Sequence, residues 1–111
     1  RNGESVVWNR IYDVPDFVYF NHSIHVAKGI GCSSCHGRID QQQLVAKAQP
    51  MWMGWCLSCH RNPEDNVRPK DEVFNMAYEP TSLPLEAREA LVAEYQIPTD
   101  GRLTNCWICH R

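Results

Sequence analysis

Apolar positions in this chain fall into periodic order only once. Over residues 81–98, TSLPLEAREALVAEYQIP, the residues Leu85, Leu91, Val92 and Tyr95 form an apolar stripe with charged residues between them. Thr81 or Ser82 stands where an N-cap is needed, Pro84 suits a first turn, and Pro98 closes the segment. A helix is predicted there. Elsewhere the pattern breaks into short pieces. VVWNRIYDVPDFVYF is β-branched and aromatic, which predicts an extended lead-in over residues 1–20 that turns at Pro15. A short helix is predicted to carry His22 and His25 and to stop at Gly29. QQQLVAKAQ (41–49) predicts another, ended by Pro50, whereas RNPEDNVRPKDE (61–72) reads as a solvated charged loop.

So little periodicity leaves a structural problem. Seven prolines and six glycines in 111 residues predict one small domain, residues 1–111, mostly irregular with a few short α-helices. Such a chain lacks the side chains for a full core and needs a staple: disulfides, a metal or a bound cofactor. The formal charge of −2 and the lack of any Lys/Arg run exclude nucleic acid as the expected partner. No apolar run is long enough to span a bilayer, and none resembles a signal-peptide core. Because the chain opens on Arg1 rather than Met, it is expected to be processed or trimmed.

The cysteines supply the staple. All six lie in three copies of one pattern: Cys32, Cys35, His36; Cys56, Cys59, His60; and Cys106, Cys109, His110. C-x-x-C-H is the attachment signature of c-type haem. Two thiols at this spacing form thioethers with the vinyl groups of one porphyrin edge, and the next residue, histidine, binds the iron from below. Structural zinc would use the first two pairs but strand the third and leave the three histidines unexplained. Three disulfides fit the parity but ignore the histidines, and a thioredoxin-like dithiol wants one such pair in a βαβ setting. Three covalently bound haem c groups are therefore expected, with the porphyrins forming the core.

Two histidines remain, His22 and His25, three positions apart on one predicted helical turn, so they can serve as distal ligands to two different haems. The third iron then lacks a histidine. Met53 is favoured, three residues before Cys56 and beside Gly54; Met51, Met76 and an open site remain alternatives. Phe17, Tyr19 and Phe20 are expected to lie against haem, and the helix of 81–98 to pack the third one.

The order F-x-H-x-x-H followed by three C-x-x-C-H motifs resembles the trihaem cytochrome c7 type, a reduced relative of tetrahaem cytochrome c3. That resemblance implies that His22 ligates the first haem and His25 the third. The type also has a histidine four residues before the second motif, where this chain has Trp52, a departure that points to Met53 for the middle haem. The longer strings VPDFVYFNHSIHVAKGIGCSSCHGRID and MGWCLSCHRNPEDNVRP are similar to the trihaem C-terminal half of the pentahaem cytochrome subunit of alternative complex III. This second resemblance implies a membrane-associated, quinol-oxidising complex with iron–sulfur and cytochrome partners.

Electron transfer between redox proteins is the expected function, since nearly every candidate ligand already has an iron to bind. Two other classes compete: a small haem enzyme reducing an oxyanion or peroxide at an open middle haem, and a trihaem unit of an extracellular filament. No Ser/His/Asp set, paired-carboxylate motif or phosphate loop supports hydrolysis or group transfer. Haem c attachment places the chain in the periplasm or on the extracytoplasmic face of a membrane.

Overall fold

The computed structural model of the chain describes residues 2–111. Its described residues form four short helices, α1 (His22–Ala27), α2 (Cys32–His36), α3 (Met53–Arg61) and α4 (Leu85–Glu94), joined by 3-10 turns and loops. There is no strand among them, only two isolated antiparallel bridges, Val18 with His110 and Ile30 with Val67. The expected class, small and mostly irregular with a few short helices, is what the chain adopts.

The helix at His22 forms where expected, because Asn21 caps it: the Asn21 side chain accepts from Ser23 N at 2.9 Å. It ends in a turn at Gly29, whose φ is +77°. Arg68 N donates to Gly29 O at 2.9 Å, and the Tyr95 ring closes over the same glycine. A Cβ at Gly29 would stand 2.6 Å from that ring and 2.7 Å from Arg68 O, so this close approach admits no side chain.

Three expectations need correction. Residues 41–49 form no helix beyond the 3-10 turn Ile39–Gln41. Their backbone is engaged elsewhere: Ala46 N donates to Gln42 Oε1, Ala46 O accepts from Tyr12 Oη, and Ala48 N donates to the same hydroxyl. Second, α4 begins at Leu85 after Pro84, and neither Thr81 nor Ser82 caps it. Leu83, the residue before a proline, is held extended at φ −84° and ψ 145°, which excludes it from the helix. The C-terminus also falls short of Pro98, because Gln96 turns left-handed at φ +54°. Third, the charged loop 61–72 is not merely solvated. It buries Pro63, Val67 and Arg68, the last at 1% exposure.

Helix α4 lies against the Pro63–Asp65 turn that follows the second C-x-x-C-H motif, rather than serving the third. Arg88 ties it there, donating to Glu64 O and Asp65 Oδ1 at 3.1 and 3.2 Å. Tyr95 ties its other end: Tyr95 O accepts from Lys28 Nζ, and Tyr95 Oη accepts from Lys70 N. The C-terminus returns to the lead-in, where Tyr19 N donates to Cys109 O at 2.7 Å.

The polypeptide alone makes almost no interior. Among the described residues Val67, Val73 and Val92, together with Pro63, are the buried apolar side chains. Its accessible surface is 8353 Å², roughly a third more than the scaling for a compact monomer of this mass. The radius of gyration, 15.8 Å, likewise exceeds the roughly 13 Å of a compact chain this long.

Candidate haem-binding site

Each C-x-x-C-H motif occupies a helical turn. The first is the whole of α2, the second falls within α3, and the third begins in the 3-10 turn Cys106–Ile108, capped by Asn105, whose side chain accepts from Trp107 N, with Cys109 and His110 just beyond it. Helical winding sets both thiols of a motif and its histidine on neighbouring parts of one surface. All six cysteines are free thiols. Among the described residues no group of three or more His, Cys, Asp and Glu converges as a metal cage would. The tetrahedral thiolate set of a structural zinc therefore does not assemble.

The histidines pair across the fold. His22 on α1 faces His36 with ring centres 6.5 Å apart and planes within 6°. His25, one turn further along α1, faces His60 at 6.3 Å and 40°. These separations are too wide for face-to-face contact of the rings. The spacing is what two imidazoles sharing one metal would have, since nitrogen–metal bonds of about 2 Å plus roughly 1 Å from nitrogen to ring centre would give about 6 Å. The resemblance to cytochrome c7 assigned His25 to the third motif; the structure sets it against the second instead. The reason is local, because α1 directs its two histidines toward the motifs next along the chain. His110 has no histidine opposite it. Its nearest aromatic neighbour is Phe17, at 5.5 Å.

Two of the rings have their Nδ1 engaged by backbone carbonyls. His25 Nδ1 bonds Asn21 O at 2.8 Å and His60 Nδ1 bonds Leu103 O at 2.6 Å. A ring that donates through Nδ1 keeps an unprotonated Nε2, the arrangement that orients metal-bound histidines. Burial pushes His25 below its usual pKa, offset by the Asn21 bond and reinforced by His60 and His22, so the neutral ring is favoured. His36 moves the same way by burial and through His22. Phe20 packs both α1 rings, edge-on to His22 at 4.8 Å and near-parallel to His25 at 4.6 Å. Tyr12 stands edge-on to His36 at 4.5 Å. Of the three lead-in aromatics, Phe17 and Phe20 thus lie on motif or α1 histidines, while Tyr19 lies under the Arg111 guanidinium.

The motifs also lie close to one another. Burial raises the Cys35 thiol to about 11, and Cys59, Cys56 and Cys32 push it the same way. Burial and then Cys109 raise Cys56. Thiols of successive motifs are thus within range of each other's charge.

Met53 opens α3 and is 61% exposed. It stands on the same continuous helix as His60, seven positions earlier, which is about 10 Å of rise. Met53 and His60 thus share one continuous helix, and the imidazole that lies near His60 is that of His25. Met51 has φ +58° just outside the helix.

A family comparison settles the class. The family described as "Cytochrome c7 and related cytochrome c" matches residues 18–111, most of the chain. The chain is a cytochrome of the c7 family. It is thereby a multihaem electron-transfer protein carrying covalent haem c, as its motifs predict. No curated protein matches it significantly. Several contributors to this cytochrome's site carry no motif and were not anticipated: Tyr12, Asn21 O and Leu103 O. Carbonyl partners leave no trace in side-chain identity. Tyr12 had only its place in an aromatic run to mark it.

Proposed function

We propose that this cytochrome c7 relative is a trihaem electron relay, docking with other redox proteins. The observation that carries the proposal is the two imidazole pairs, His22 with His36 and His25 with His60, at centre separations of 6.5 and 6.3 Å. Cys32 and Cys35, Cys56 and Cys59, and Cys106 and Cys109 would hold the three groups covalently, with His36, His60 and His110 as proximal ligands. His22 and His25 would be distal ligands of the first and second. When bound, haem c supplies a one-electron iron couple at each position. The chain's own contribution is to fix the imidazoles through Asn21 O and Leu103 O, and to crowd the three attachment edges together.

For the His110 position, Met53 is the proposed sixth ligand. It lies one helical turn before Cys56, the thiol that feels Cys109, and its thioether is exposed. Thioether ligation raises a potential above that of a bis-imidazole centre, so an electron would rest there. The similarity of FVYFNHSIH and MGWCLSCHRNP to the alternative complex III subunit supports a place in a membrane-associated quinol-oxidising complex, on the periplasmic or extracytoplasmic side. Exposed Trp8, Trp52 and Trp107 provide docking surface on the polypeptide.

Denaturing mass spectrometry of the protein matured in an oxidising compartment should show the chain plus three haem units, all six cysteines consumed. The oxidised protein should show a weak near-infrared methionine-to-iron band that disappears in Met53→Ala. Fewer haems refute the trihaem reading. High-spin iron in the unsubstituted protein would replace the relay with an open catalytic centre at His110.

A further inference from the structure

Arg68 is the one buried charged side chain among the described residues. Its guanidinium lies flat against Gly31, where any Cβ would overlap it, and over the Tyr78 ring at 5.1 Å. Nη1 donates to Glu72 O at 3.3 Å and Asn75 O at 3.1 Å, and Nη2 to Ser33 Oγ at 3.2 Å and Ser34 Oγ at 3.1 Å. Nε has no partner. Every acceptor is neutral, and no carboxylate of the described residues forms an ion pair with it. Glu72 and Glu79 lie in its surroundings with Cys32, but the Glu72 carboxylate accepts from Asn75 Nδ2.

A cation covered this completely, with only neutral protein acceptors on it, is costly to bury, and neutral donors would satisfy carbonyls and hydroxyls equally well. Bracing alone does not account for the charge. Ser33 and Ser34 are the two residues between Cys32 and Cys35, so the charge is fixed against the first haem-attachment loop. Arginine stays ionised even when buried.

We propose that Arg68 is a positioning residue and fixed cation that raises the reduction potential of the centre held by Cys32, Cys35 and His36. A nearby positive charge disfavours ferric iron, which carries one more positive charge than ferrous, and so favours accepting the electron. The low dielectric around a buried guanidinium preserves that field where water would screen it. The inference rests on the haem reading of the first motif.

Spectroelectrochemical titration of the haem-loaded protein tests it, with the first haem identified as the one that loses its low-spin spectrum in His22→Ala. Arg68→Gln keeps hydrogen-bond donors but removes the charge, and should lower the potential of that haem while leaving the other two in place. Arg68→Lys keeps the charge without the planar fork, and should retain the potential despite a lower melting temperature. Ser34→Asp sets a carboxylate against Nη2 with the arginine intact, and should lower the same potential. It decides the matter if Arg68→Gln fails to load three haems. Unchanged potentials in a fully loaded Arg68→Gln or Ser34→Asp overturn the proposal and leave Arg68 a brace. An equal fall in Arg68→Lys and Arg68→Gln overturns it too, since the hydrogen bonds would then be responsible. A wild-type mass lacking haem on Cys32 and Cys35 removes the centre itself, a failure that mass spectrometry separates from a failure of Arg68 to tune it.

Discussion

Gly31 shows how a residue without a side chain can govern the one packed on it. A methyl group there would overlap the Arg68 guanidinium, which is pinned by four acceptors and cannot swing aside cheaply. Gly31→Ala should cost at least the ~1–3 kcal/mol of an overpacked interior, read as a lower melting temperature of the loaded protein. His22→Ala and His25→Ala should each convert one haem to high spin, the first and second respectively. Electron paramagnetic resonance distinguishes one converted centre from two; both replacements leaving all centres low-spin would refute the pairing. The ligand inventory was legible because cysteine and histidine carry their chemistry in the residue itself. The pairing of His25 was not, since it depends on where α1 points. Arg68 was hidden for a different reason: an arginine amid acidic and proline residues looks solvated, and the sequence carried no sign that it packs onto Gly31.

Among the elements, α4 separates what a pattern predicts from what positions a helix. Its apolar stripe located it correctly, yet Thr81 and Ser82 stand outside it because Pro84 forces Leu83 extended. Thr81→Ala and Ser82→Ala should therefore change stability by less than ~0.5 kcal/mol, the range of ordinary surface substitutions, rather than by the ~1 kcal/mol of a lost cap. Arg88→Ala should cost more, about 1–3 kcal/mol, because it removes the bonds to Leu83 O, Glu64 O and Asp65. Thermal unfolding of the loaded variants checks both. The segment 41–49 failed as a helix for a reason no propensity contains. A single hydroxyl, Tyr12 Oη, takes up Ala46 O and Ala48 N from more than thirty positions away. Tyr12→Phe should loosen that segment, seen as faster amide exchange at Ala48, without changing the haem count.

At the scale of the whole molecule, three buried valines and a proline cannot hold 111 residues together. The chain made without haem attachment should show no cooperative thermal transition and a disordered far-ultraviolet dichroism spectrum, by the logic of metal-dependent mini-domains. A sharp melt of the haem-free chain would contradict this. The arrangement of α1 then bears on how the protein assembles. His22 and His36 are 14 positions apart (22 to 36), and His25 and His60 are 35 apart (25 to 60). Closing the longer loop first costs about 0.8 kcal/mol more entropy than closing the shorter. Once the shorter is closed, α1 is already anchored beside residue 36, and the remaining search spans only the 24 positions from 36 to 60. If His22 and His25 bind iron as proposed, this six-residue helix would act as a relay in folding time: the first centre to close would carry the second ligand to its place, and the chain would mature from its N-terminal side onward.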